Sequence, residues 1–290
     1  MTVSTLLQVQ WRGAIMKHFK LLTSSSTMSE KIAIKNKTFK VFITGATSGI
    51  GESLARQYAN RGATLGLVGR RLELLHKLKS RIDTPCEIYG IDVTNQKDIR
   101  KAANHFIKKY GAPDIVIANA GVSTGTLAGK SEDLHTFKRV IEINLYGVIH
   151  TFLPFIEVLK KQKKGQLVGI SSVAGIRGLP GSGAYSTSKA ALINYLESLR
   201  IEMKPFGIDV TTIAPGFIHT PMTKHNRYAM PFILDVDVAV SRFIKAIHNK
   251  KRFVIIPWQM SIIASIMKFL PASMWDFLAK GGPKKIRKMN

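Results

Sequence analysis

Cysteine occurs once, at Cys86, so neither an intramolecular disulfide nor a cysteine-based zinc cluster can form. The eight histidines show no metal-ligand spacing, and no metal is expected. Acidic residues are scarce: 18 Asp and Glu stand against 43 Lys and Arg, a net charge of +25. Such a field attracts polyanions. However, there is no zinc-finger spacing, arginine-rich run or aromatic-basic RNA motif, so nucleic acid is not an expected partner. The excess charge reads as spread over solvated faces, which leaves phosphate-bearing small molecules and anionic lipid surfaces compatible. No run reaches the roughly 18 apolar residues that a membrane-spanning helix needs.

What is present is an ordinary globular balance, 45% hydrophobic and 21% charged, in a chain of 290 residues that can bury a substantial core. Residues 1–37 read as an N-terminal extension. They are basic and Ser-rich but lack a signal-peptide core and cleavage site. A targeting peptide and an over-extended start, with Met28 or Met16 as first residue, both fit. From residue 38 to 257 the rhythm is strand, turn, helix, repeated. Seven apolar runs are expected as strands: 39–43, 63–68, 87–91, 114–118, 165–170, 208–213 and 252–256. Helices are expected over 50–60, 71–82, 95–110, 132–161 (bent at Pro154), 184–204 and 235–248. Near-continuous apolar strands alternating with helices predict an α/β fold, a Rossmann-like, doubly wound, seven-stranded parallel sheet with helices on both faces. Residues 258–290 add an apolar helical extension and a basic tail. Cys86 falls at the third strand, where a plain buried thiol is expected; a reducing compartment fits, and the chain is expected to be cytoplasmic.

The first strand–helix junction reads Thr44-Gly45-Ala46-Thr47-Ser48-Gly49-Ile50-Gly51. Glycines there permit a tight turn, a close approach of backbone to a pyrophosphate, and helix-on-strand packing. The helix N-terminus adds free N–H groups and a positive dipole end. After the second strand, where an NAD site usually carries an acid, the chain has Arg70 and Arg71. Guanidinium groups at a helix start are poorly placed unless an anion is resident, and a 2′-phosphate is such an anion. NADP(H) is therefore the expected cofactor, with Thr47 and Ser48 able to donate to the same phosphate. Asp92, before Val93, is placed to touch the adenine; helix capping through Thr94 and Asn95 competes as its explanation.

Further on come Ser171-Ser172-Val173-Ala174-Gly175 and Tyr185-Ser186-Thr187-Ser188-Lys189. Tyr185 and Lys189 are four apart on an expected helix and share a face. A phenol, with a reference pKa of about 10, exchanges protons more readily near neutrality beside an ammonium. Such a pair alone is common by chance. It gains weight from Ala118-Asn119-Ala120-Gly121 after the fourth strand, from Asn144, from Ser172 after the fifth, and from Pro215-Gly216 after the sixth. Apart from Asn144, these follow the carboxyl ends of strands, the ligand-binding edge of open α/β sheets.

From about Lys40 to Pro257 these motifs, in this order and at these gaps, resemble the short-chain dehydrogenase/reductase family. The resemblance implies hydride transfer between a nicotinamide and a ketone or secondary alcohol. It makes Tyr185 the acid/base, Ser172 the group orienting the substrate carbonyl, Lys189 a partner of both Tyr185 and the nicotinamide ribose, and Asn144 the holder of a water relay to Lys189. It puts cofactor contacts at Gly45, Gly49, Gly51, Asp92, Asn119, Ile218 and Thr220. Thr47, Ser48, Ile50, Arg70, Arg71, Val93, Ala120, Gly121, Tyr185, Lys189, Pro215 and Gly216 complete the cofactor set. One departure is Ala118-Asn119, where the family often has two asparagines. A non-catalytic NADP(H)-binding regulator is the alternative, but it has no need of Ser172, Tyr185, Lys189 and Asn144 together.

Residues 217–234 are expected to cover the substrate. Met222, Tyr228, Met230, Phe232 and Leu234 suggest an apolar, lipid-like molecule or simply pack the lid. The segment 257–278, flanked by Trp258 and Trp275 and followed by Lys280, Lys284, Lys285, Arg287 and Lys288, has two readings. It packs over the cleft or against a second subunit, as expected of a homo-oligomer, or it contacts a membrane surface peripherally.

Overall fold

Aliphatic and β-branched side chains fit a pleated surface covered on both faces, and the apolar runs fold accordingly. The computed structural model describes residues 39–280, apart from 225, 227 and 228. Its strands are β1 (Lys40–Thr44), β2 (Thr64–Gly69), β3 (Cys86–Gly90), β4 (Ile115–Ala118), β5 (Gly165–Ile170), β6 (Ile208–Pro215) and β7 (Phe253–Ile256). They form one parallel seven-stranded sheet in the order β3-β2-β1-β4-β5-β6-β7. The order reverses between β1 and β4, which opens a crevice at their carboxyl ends.

The helices are α1 (Gly49–Ala59), α2 (Leu72–Lys79), α3 (Gln96–Tyr110), α4 (Leu134–Ile141), α5 (Gly147–Gln162), α6 (Gly183–Met203), α7 (Val236–His248), α8 (Trp258–Phe269) and α9 (Ala272–Ala279). Strand alternation divides the core. Val41 and Ile43 face Leu54, Tyr58, Phe243 and Ile247 on one side of the sheet. Phe42 points the other way, into Phe106, Phe152, Phe155 and Leu196, its ring 4.9 Å from that of Phe155 and 5.6 Å from that of Phe106. Cys86 opens β3 as a buried free thiol, pushed up to about 11 by burial.

Two features depart from the expectations. The helix expected over 132–161 is continuous over Ser131–Gln162, with Pro154 inside α5, but its period changes at a π-helical segment, Glu142–Tyr146, between α4 and α5. One extra residue per turn there re-aims the side chains that follow it, and Asn144 is completely buried. Secondly, Ser131–Gln162 is long and apolar enough to cross a membrane by length and composition, although no such stretch was expected. Its apolarity has a local cause: Val148, Phe152, Phe155 and Leu159 are sheet-facing core. The extension expected over 1–37, and Lys284, Lys285, Arg287 and Lys288 of the basic tail, lie outside the described residues.

Asn95 caps α3, its Oδ1 accepting the Asp98 N–H at 3.2 Å. Asn95→Ala is expected to lower the unfolding free energy by about 1 kcal/mol, since the first-turn donor loses its partner. Urea unfolding measures this, and an unchanged midpoint would contradict the cap.

Candidate active site

The phosphate-cradling turn is built by removing side chains. Gly45 has φ +71°, and a Cβ there would lie 2.7 Å from Ala120 Cα and 2.8 Å from Asn119 Nδ2. Gly51 would collide with the Gly45 carbonyl if it carried a Cβ. It therefore packs α1 onto β1 and, contrary to expectation, does not line the cleft. Asn119 stitches the ends of β1 and β4 together, its amide donating to the Thr44 and Gly45 carbonyls at 3.0 and 3.2 Å. Ser48 precedes α1 without a side-chain cap bond, so the helix's first N–H groups stay available to an anion.

Beside this turn, Arg71 donates through Nη2 to Thr47 Oγ1 (2.8 Å) and Ser48 Oγ (3.0 Å). Arg71 is also the N-cap of α2, a site that disfavours a cation unless an anion is nearby. Arg70 is largely exposed and stands 3.8 Å from Asp92 Oδ2. Asp92 is tied into the turn before α3 and also faces the cleft, while the cap of α3 itself is Asn95. Asp92 Oδ1 accepts the Thr94 N–H and hydroxyl at 3.0 and 2.9 Å. Its Oδ2 accepts from Arg139 at 2.7 Å. Burial alone would raise its pKa, but the Thr94 and Arg139 hydrogen bonds hold it below the usual carboxylate range. Arg139 comes from α4, 47 residues away, and nothing near Asp92 in the sequence announces it.

At the other end, Ser171 Oγ donates to the Lys189 carbonyl at 3.0 Å and ties β5 to α6. Ser172 Oγ accepts the Ala174 N–H at 3.1 Å, which leaves its hydroxyl proton available to the cleft. Lys189 is buried; its Nζ donates to the Ile170 carbonyl at 2.8 Å and lies 5.9 Å from the centre of the Tyr185 ring. Desolvation pushes this ammonium down to about 8. A Cβ on Gly121 would lie 3.6 Å from that nitrogen, so the glycine leaves it room.

The Asn144 side chain is engaged with protein groups next to Lys189: a Cβ on Gly121 would lie 3.2 Å from its Oδ1 and 3.6 Å from Lys189 Nζ. Asn144 Oδ1 accepts the Val122 N–H at 2.8 Å, while Nδ2 donates to the Val122 carbonyl and Ser188 Oγ at 2.9 and 3.0 Å. The side chain is spent on clamping the loop after β4 to α6, behind the cleft wall. Val122 and Ser188 are thus site-building residues that sequence reasoning missed. Ser188 had a signal, one residue before Lys189 on α6; Val122 had none.

One cleft gathers the rest. It is lined by Gly45, Thr47, Ser48, Gly49, Ile50, Arg70, Arg71, Asp92, Val93, Asn119, Ala120, Gly121, Ser172, Tyr185, Lys189, Pro215, Gly216, Ile218 and Thr220. Pro221, Met222 and Thr223 join them from the expected lid. That loop is closed at its base by a parallel bridge between Ile218 and Leu234. Its apolar set divides: Met222 reaches the cleft, Leu234 packs on the core, Phe232 is half exposed, and Tyr228 lies outside the described residues. Among the described residues there is no cluster of His, Cys, Asp and Glu suited to a metal.

Residues 40–230 match the family model described as short chain dehydrogenase. The chain belongs to that family. This dehydrogenase is 35% identical over 241 residues to an uncharacterized oxidoreductase of Myxococcus xanthus, covering 82% of this chain and 95% of that protein. It is 37% identical over 237 residues to a protein of Arabidopsis thaliana named 11-beta-hydroxysteroid dehydrogenase-like 2, covering 79% and 76%. In fold it resembles a short-chain dehydrogenase from Streptomyces avermitilis, with a TM-score of 0.70 at 22% identity, covering 85% and 99% of the two chains. The protein is an oxidoreductase of the short-chain dehydrogenase type, and its fold is one that binds a nicotinamide dinucleotide. The residues present suit that group. The left-handed Gly45, the uncapped α1 and the two arginines fit phosphates, and Lys189 Nζ keeps donor capacity beyond its bond to Ile170.

A lysine whose folded pKa lies below its unfolded value of 10.5 opposes folding while protonated. The penalty is present in full below about 8 and fades as pH rises to 10.5. The melting temperature of a Lys189→Met variant, minus that of the parent, is therefore expected to fall between pH 7 and pH 10 in dinucleotide-free protein. Thermal melts at both values test this, and a constant difference would contradict it.

Proposed function

We propose that this dehydrogenase is an NADP(H)-dependent carbonyl reductase or alcohol dehydrogenase acting on an apolar, lipid-like ketone or secondary alcohol in the cytoplasm. The observation that carries the reading is the polarity of the cleft: a phosphate cradle with two arginines at one end, Ser172, Tyr185 and Lys189 at the other. The bound nicotinamide would supply or accept the hydride. In the reductive direction Tyr185 gives its proton to the carbonyl oxygen as negative charge develops there, and Ser172 donates a hydrogen bond to the same oxygen. Lys189, still largely protonated at neutral pH, sets a positive charge behind Tyr185 and stabilises the oxygen that has lost its proton. Asn144 positions the wall through Val122 and Ser188.

Support for NADP(H) over NAD(H) is the Arg71–Thr47–Ser48 group with Arg70 beside it: cations and hydroxyls where a 2′-phosphate would lie, and no free carboxylate, since Asp92 is already paired. Support for an apolar substrate is Met222 and Pro221 on the cleft wall, together with the hydroxysteroid dehydrogenase in the Arabidopsis relative's name. Self-association belongs to the same reading; Tyr146, Leu153 and Ile201 on or beside α5 and α6 leave apolar surface for a second copy.

Tyr185→Phe is expected to lower NADPH-dependent turnover of a ketone panel graded by chain length by about a hundredfold or more; unchanged turnover would sink the catalytic assignment and favour a dinucleotide-binding regulator. Arg71→Ala is expected to weaken NADPH binding by about tenfold or more and leave NADH binding unchanged. Fluorescence titration of both nucleotides reads this, and equal affinities in the unmodified protein would refute the preference.

A further inference from the structure

Helix α8 is apolar on two opposite sides, and the described residues cover only one of them. Met260 and Ala264 are buried against Val173, with Ile263 packed beside them. Trp258, Ile262, Ile266 and Phe269 fall within an arc of about 80° on the far side, at 3.6 residues per turn. All four are exposed, Phe269 by 81%. Helix α9 repeats the pattern: Met274, Phe277 and Leu278 share a face and are exposed, Phe277 again by 81%. A helix apolar all round normally has a partner on each side, and clustered large apolar side chains in water mark an interaction surface.

The helix pair is held firmly. Arg177 donates to the Met267 and Leu270 carbonyls at 2.8 and 2.9 Å where α8 ends. Its guanidinium lies 5.4 Å over the Trp275 ring, and Trp275 Nε1 donates to the Gly178 carbonyl at 3.2 Å. The uncovered faces are thus pinned to the loop between Ser172 and Tyr185, and Met260 packs against Gly216 of the cleft wall. Charge identifies the occupant. From Trp258 on the sequence holds six Lys and Arg and a single acid, Asp276. A second copy would bring the same excess of positive charge to the contact. An anionic bilayer offers an apolar layer and the complementary sign together.

We propose that α8 and α9 dock this protein on an anionic lipid surface. Trp258, Ile262, Phe269 and Phe277 enter the boundary between headgroups and acyl chains, and cations such as Lys268 and Lys280 meet the headgroups. The surface then lies against the cleft, so an apolar ligand reaches the site from the leaflet. The docking rests on the exposed faces and the charge, and stands whatever the substrate is.

The test is co-sedimentation of the full chain, and of F269D/F277D, with phosphatidylcholine vesicles and with vesicles that also contain phosphatidylserine. The parent is expected to pellet with the phosphatidylserine vesicles. Binding should be weaker by about tenfold or more with phosphatidylcholine alone or in the double variant, which should keep the parent's melting temperature and dinucleotide affinity. A parent that stays in the supernatant with both vesicles, or a variant that pellets equally, overturns the proposal. So does light scattering that shows a parent dimer, a variant monomer and no vesicle binding, which would assign the face to a second copy. If the double variant melts early, tryptophan emission of the unmodified protein decides: a blue shift on phosphatidylserine vesicles supports docking, and none refutes it.

Discussion

In a parallel ladder every strand runs the same way, so the loops leaving β1, β4, β5 and β6 gather along one edge. The pairing of Ile43 with Ile117 and of Ala118 with Gly169 sets how far each loop projects. Asn119 then locks the first two loops, and Ser171 locks the third to α6. Sliding any of these strands by one residue would turn its core side chains outward and part the phosphate turn from Ser172 and Tyr185. The chemistry is therefore held by backbone hydrogen bonds several residues away from it.

This dependence explains what could be read from the chain alone. Strands were legible because covered strands are short apolar runs, and α3 because Asn95 marks its start. The site was legible where a strand end is followed at once by the residues that use it, as at Gly45, Asn119, Ser172 and Pro215. Two features escaped. A helical period cannot register one added residue, so the π segment at Glu142–Tyr146 was invisible. Nor can local pattern reveal a partner brought in by the fold, as Arg139 is to Asp92 or Val122 to Asn144. The resemblance singled out Asn144, but not the side-chain bonds by which it ties Val122 to Ser188.

Lys189 shows that a residue of the cleft can be kept at the expense of stability. An ammonium taken out of water and given one carbonyl partner opposes folding, and a methionine there would sit more comfortably. A charge held in so apolar a place also acts more strongly on its neighbours than it would in water, and the Tyr185 ring is 5.9 Å away. The cost is absorbed by the two apolar layers around the sheet, where Phe42, Phe155 and Leu196 on one side and Leu54 and Phe243 on the other are wholly buried.

The bridge between Ile218 and Leu234 has a consequence for how such an enzyme can change over generations. Because the two ends of the covering loop meet at a single pairing, the residues between them can lengthen or shorten without disturbing β6 or α7. Doubling such a loop costs only about 0.6 kcal/mol in closure entropy. Insertions and deletions there can reshape the cleft wall that Pro221, Met222 and Thr223 form while the strand ends below stay in register, so one surface loop can vary on a constant frame.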